Sequence, residues 1–68
     1  MHIDVRGLSP PEPFFAIMDL VREQRGPIVV HHERDPVPLY EALDAAGWDW
    51  NPLPSPEGEV RLRLVPRG

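Results

Sequence analysis

His31 and His32 stand side by side and are followed by Glu33, Arg34 and Asp35, the densest run of titratable side chains in the chain. Imidazoles and carboxylates this close in sequence invite a metal site. A β-strand, however, sends successive side chains to opposite faces, so two adjacent strand histidines cannot readily chelate one ion. With Glu33 or Asp35 a site of two ligands is conceivable, short of the usual three or four. His2 opens the first strand and is expected at the far end of the sheet from both. The plainer alternative is that one histidine packs against a helix while the other is solvated. Glu12, Glu33 and Asp35 could supply an acid–base pair, but carboxylates beside the positive ends of helices stay ionised rather than poised near neutrality.

Other chemistry is limited by what is missing. Covalent catalysis draws on Ser, Cys, Thr, Lys or a carboxylate. The chain has no Cys, Thr or Lys, and its only serines are Ser9 and Ser55. A formal charge of −4 argues against a general nucleic-acid binder, because phosphate contacts need surplus positive charge. No stretch approaches 18 apolar residues, and no charged start precedes an apolar run, so neither a membrane span nor a secretion signal is expected. The cytoplasm is the expected compartment, and no cofactor is expected.

The elements that must position these residues follow from periodicity. His2 to Arg6 alternates, with Ile3 and Val5 on one face, as in a short half-buried strand. From Phe14 the period becomes helical, with Ile17, Met18 and Val21 on one stripe, and Gly26-Pro27 is the expected stop. Ile28 to His32 is a second strand rich in β-branched residues. Leu39, Ala42, Leu43 and Ala46 mark a second helix, which Gly47 caps. Trp48-Asp49-Trp50 begins a third strand, Pro52 to Gly58 is a proline-rich turn, and Glu59 to Val65 alternates as a fourth. Each helix opens with Pro-x-Pro (Pro11 to Pro13, Pro36 to Pro38), where a missing N–H loses nothing. Pro10 and Asp35 then fall at the N-caps, and Asp35 carries a suitable acceptor.

The whole chain, residues 1–68, therefore reads as one domain. It is an α/β (α+β) two-layer sandwich of order β-α-β-α-β-β, with a four-stranded mixed sheet and both helices on one face. In a β-α-β unit the strands run parallel, so the loops after strands one and two share an end of the sheet. That brings Arg6, Ser9, Pro10, Glu12, His31, His32, Arg34 and Asp35 towards a common edge, where ligands of open sheets favour binding. The other sheet face stays open, with His31, Arg61 and Arg63, and with Val29 if Ile28 and Val30 face the helices; Phe15 is expected nearby. Such a face suits a partner or a second copy. Base stacking beside Arg61 and Arg63 is conceivable, but Glu59 shares their face, and a mixed-charge row on an exposed strand commonly blocks edge pairing or keeps the sheet soluble. Trp48 and Trp50 are expected to pack on helix two.

With that order in hand, Asp4-Val5-Arg6-Gly7-Leu8-Ser9-Pro10-Pro11-Glu12-Pro13 resembles the opening of the sulfur carrier family of TusA and SirA. There a strand ending in Asp-x-x-Gly-Leu leads to Cys-Pro-x-Pro at the first helix. Here Pro10 stands where the cysteine would be, so the sulfur relay that the family implies cannot run through this residue. The chain is more closely similar to an uncharacterised bacterial family of such domains without the cysteine, in which a segment like Arg34-Asp35-Pro36-Val37-Pro38-Leu39-Tyr40 recurs. Members of that family resemble partners or appendages of metal and redox proteins, hemerythrin-like ones among them.

The expected role is thus a non-enzymatic interaction or accessory domain with a redox or metal-handling protein partner. The alternatives are binding of a metal or small anion at the Pro10/His31 edge, and RNA binding through the sheet face. A domain of 68 residues without cysteine lacks the usual staples of small folds, and its ten prolines are the substitute. At compatible sites each proline stabilises by about 0.4–1 kcal/mol through the unfolded chain. Replacing Pro27 or Pro54 with alanine is expected to lower the melting temperature; unchanged melting across several such variants would remove this account.

Overall fold

The computed structural model describes residues 1–23 and 26–67. Its elements are β1 (His2–Asp4), α1 (Glu12–Glu23), β2 (Ile28–His32), α2 (Val37–Ala45), β3 (Trp48–Leu53) and β4 (Val60–Pro66). The sheet order is β1-β2-β4-β3. β1 and β2 pair in parallel, and β4 runs antiparallel to both of its neighbours. The fold is the expected α+β sandwich, two helices on a four-stranded mixed sheet. No helix among the described residues is long and apolar enough to cross a membrane.

Alternation in the strands and the helical stripes meet in one core. Ile28 and Val30 of β2 and Leu62 and Leu64 of β4 are fully buried, and Ile17, Met18, Val21, Leu39 and Leu43 cover them from the helices. Trp48 joins this core, and Trp50 stacks on Tyr40 of α2 at a centroid distance of 4.9 Å. Both tryptophans therefore lie on the helix side, as their spacing suggests. β2 answers the question its sequence leaves open, because Ile28, Val30 and His32 face the helices while Val29 and His31 face outward.

Several boundaries move for identifiable reasons. β1 stops at Asp4 rather than Arg6, because the Asp4 carboxylate accepts the Arg6 N–H at 3.1 Å and turns the chain. Val5 still donates to the His31 carbonyl at 3.0 Å, and Gly7 then takes a φ of +85°, open to glycine at little cost. α1 begins one residue later than expected, its first bond running from Phe15 N–H to the Pro11 carbonyl. The stop expected at Gly26 adjoins residues 24 and 25, which lie outside the described residues. Asp35 does not cap α2. Pro36 is the N-cap and has no side-chain bond, while the Asp35 carboxylate accepts from the Tyr40 hydroxyl at 2.5 Å. Gly47 closes α2 with a φ of +80° and donates to the Asp44 carbonyl. β3 continues through Pro52 because it is an edge strand, where one missing N–H is tolerated.

The open face differs most from expectation. β4 is an inner strand, so its charged row guards no edge. Instead the Glu59 carboxylate, just before β4, is a hub with only 7% of its side chain exposed. It accepts from Arg61 Nε and His31 Nδ1, each at 2.8 Å, and lies 3.5 Å from an Arg6 nitrogen that belongs to the Asp4–Arg6 pair. His2 is not remote from His31. The parallel register sets His2 opposite Val29, two residues before His31, so both imidazoles occupy the same face and stack at 5.8 Å. Phe15 lies on the helix layer, edge-on to Phe14, rather than beside the open sheet.

Hydrogen bonds from Arg61 and then His31 lower the Glu59 carboxyl from its ordinary value to about 2, against the opposing effect of burial. A depressed carboxylate contributes stability that is present above its unfolded value and is lost as pH falls through the folded one. Relative to Glu59→Gln, the native chain should melt higher at pH 7, and the gap should close between about pH 4.5 and 2. Thermal melts of both chains across that window test this; curves that stay parallel would show that the hub does not hold the fold.

Candidate functional site

The loops after β1 and β2 do meet at one end of the sheet, and they enclose a pocket of about 450 Å³ between the heads of the two helices. Leu8, Pro10 and Pro11 line it from the first loop, and Pro13, Phe14 and Ile17 from α1. His32, Glu33, Arg34 and Asp35 come from the second loop, with Pro36, Pro38 and Leu39 from the start of α2. The loops are tied together by the Gly7 N–H, which donates to the Glu33 carboxylate at 3.1 Å. Five prolines make the wall predominantly apolar.

Those prolines also decide what the helix heads can bind. A helix N-terminus attracts anions through its unpaired N–H groups. At the head of α2, Pro36 and Pro38 have no N–H, Val37 donates to the Asp35 carbonyl at 3.0 Å, and Leu39 donates to the Pro36 carbonyl at 2.9 Å. At the head of α1, Pro11 and Pro13 have none and Glu12 donates to the Ser9 carbonyl at 2.9 Å, leaving Phe14 as the first-turn donor. The positive ends of both dipoles converge here with most of their hydrogen-bonding capacity removed.

His32 is the polar group of the interior, 7% exposed. Its Nδ1 accepts the N–H groups of Glu33 and Arg34 at 3.0 and 3.2 Å, so that nitrogen carries no proton and Nε2 does. Burial, assisted by Arg34 and opposed by Glu33, pushes the imidazole below its ordinary range, which favours this neutral form. Nε2 has no partner within the described chain. Every fully buried side-chain nitrogen and oxygen among the described residues is satisfied, so Nε2 must reach solvent, and the space that His32 lines is the pocket.

The structure divides the residues that the sequence groups at one edge. Pro10, His32, Arg34 and Asp35 line the pocket. Arg6 and His31 belong to the ion-paired open face. Ser9 and Glu12 are exposed at the start of α1 and line neither. Among the described residues no group of three or more His, Asp or Glu side chains is placed to hold a metal ion. Two roles are not legible in the sequence. Alternation puts Glu59 on the outer face, but its part as shared acceptor for His31 and Arg61 depends on strand register, and the Pro-x-Pro segments read as helix starts but not as two facing walls.

Three comparisons bear on what this architecture is. The crystal structure of a SirA-like protein from Desulfitobacterium hafniense superposes with a TM-score of 0.82 at 20% identity, covering 94% of this chain and 93% of that one. At that identity the likeness speaks for the fold. No curated protein matches the sequence. The family model described as "Uncharacterized conserved protein (DUF2249)" matches residues 2–66, nearly the full length. With the SirA-like fold and this continuous match together, the chain belongs to the DUF2249 family.

Proposed function

We propose that this chain is a non-enzymatic accessory domain that works by holding and docking, with the pocket between its helix heads as the working site and a redox or metal-handling protein as its partner. The observation that carries the reading is Pro10. By resemblance, this position at the first helix holds the thiol of a sulfur carrier; here it is one wall of an apolar pocket. A binding surface occupies the place of a reactive group, and the chain contains no cysteine to restore it.

The surroundings of the pocket support docking there rather than on the sheet. Three exposed large hydrophobic residues line the pocket or adjoin its lining residues in the chain. Leu8 lines it, Phe15 lies edge-on to the lining Phe14, and Val37 sits between the lining Pro36 and Pro38, with Phe15 and Val37 each more than half exposed. Apolar groups clustered around a concavity mark an interaction site. The open sheet face, by contrast, has His31, Arg61 and Arg6 engaged by the Glu59 carboxylate. Neither tryptophan is on it to stack with bases, since Trp48 and Trp50 are on the helix side. A small anion would find few donors at the helix heads.

A photo-crosslinking amino acid placed at Phe15 or Val37, expressed in cells of the source organism, is expected to give one dominant adduct with a redox or metal-handling protein. The same probe at Arg63, on the sheet face, is expected to give none. A dominant adduct from Arg63 with silence from Phe15 and Val37 would overturn the proposal.

A further inference from the structure

We propose that the pocket binds a small, neutral, mainly apolar molecule through one carbonyl oxygen, which accepts a hydrogen bond from His32 Nε2. The inference rests on the pocket being the working site, and it specifies what enters it.

Three observations narrow the ligand class. First, the walls are proline, leucine, isoleucine and phenylalanine around about 450 Å³, a size and lining typical of small-molecule sites. Second, the buried polar side chain of the lining, His32, offers a donor and no acceptor. His32 Nδ1 is occupied by two backbone N–H groups, so the ring has no lone pair to offer, and Nε2–H is left without a partner on a side chain otherwise withdrawn from water. A ligand that displaces solvent from Nε2 must therefore bring an acceptor, because the hydrogen bond would otherwise be lost at a cost. Third, that acceptor is not a full anion. The prolines strip most donors from the helix heads, and Glu33 and Asp35 at the rim outnumber Arg34. The chain as a whole carries −4. The converging helix ends still favour partial negative charge, which a carbonyl oxygen supplies without the desolvation cost of a carboxylate.

A matched ligand series reads this directly. The intact 15N-labelled chain is titrated at pH 7 with 2-acetylnaphthalene, 2-ethylnaphthalene and 2-naphthoate. These share one ring system and differ in carrying a ketone, no acceptor, or a carboxylate. The ketone is expected to bind saturably, shifting Leu8, Phe14, Leu39 and the His32 ring nitrogen. The hydrocarbon is expected to bind about 3- to 10-fold more weakly, the loss of one hydrogen bond, and the carboxylate more weakly than the ketone. His32→Asn places an acceptor near the Nδ1 position for the two backbone N–H groups but removes Nε2–H, so it should bind ketone and hydrocarbon alike. Absence of saturable ketone binding, equal affinity for the hydrocarbon in the native chain, or tighter binding of the carboxylate would each overturn the proposal, and none needs the variant to fold. These outcomes are independent of the crosslinking at Phe15 and Val37, so a partner can dock at the rim even if this ligand class fails.

Discussion

β2 cannot send neighbouring side chains to the same side, and the arrangement of polar groups in this domain depends on that. Ile28, Val30 and His32 turn towards the helices and Val29 and His31 turn away. Two adjacent imidazoles are thereby given unrelated surroundings. His32 is drawn under the helix heads, where backbone N–H groups hold its tautomer. His31 is placed on the outer face within reach of a carboxylate. The parallel pairing of β1 with β2 then sets the partners of each. It carries the β1–α1 loop over His32, and it brings His2 and the Asp4–Arg6 pair beside His31. One short strand creates a mainly apolar pocket on one side and an ion-paired lattice on the other.

The prolines connect stability with the character of the pocket. A small domain without disulfides gains from residues that restrict its unfolded chain. Proline costs least where a helix begins, so the Pro-x-Pro segments fall at both helix heads. The parallel β-α-β arrangement places those two heads at the same end of the sheet. Residues suited to helix initiation thus become the facing walls of one cavity, and they remove the donors that would otherwise make it an anion site. No separate explanation is needed for the apolar lining.

Much of the fold could be read from the chain because its signals are local. Alternation in Ile28 to His32 and in Glu59 to Val65, the helical stripe through Ile17 and Val21, and the glycine stop at Gly47 each depend on a few neighbouring residues. The element order and the two-layer arrangement followed from them. What failed depended on distance. Asp35 has the chemistry of an N-cap, but the phenol of Tyr40 takes its carboxylate, and a helix beginning at Val37 leaves it one position outside. His2 opens β1 and His31 stands near the end of β2, which suggests opposite ends of the sheet, but the register pairs His2 with Val29, only two residues before His31. The charged row of β4 suggests an edge strand until pairing puts β4 inside the sheet. For the site, Pro10, His32, Arg34 and Asp35 were legible as one group, since loop adjacency follows from topology. The exclusion of His31 and Arg6 from that group depends on side-chain direction at the strand ends.

Proline at the helix heads also bears on the hydrogen-bond balance of the fold. A thiolate at a helix head is stabilised by the unpaired N–H groups and the positive dipole end, and such a site has to keep those donors free. Donors facing an apolar cavity are otherwise a liability, because buried N–H groups without acceptors are destabilising. The head of α2 has none left over: Pro36 and Pro38 lack them, and Val37 and Leu39 spend theirs on nearby carbonyls. The head of α1 retains one. His32 is then the buried side chain of the lining that keeps a donor free, its Nδ1 spent on two backbone N–H groups and its Nε2 open towards the pocket. An apolar wall alone has no preferred orientation for what lies against it; a fixed N–H at its buried end gives the wall a polar point of reference.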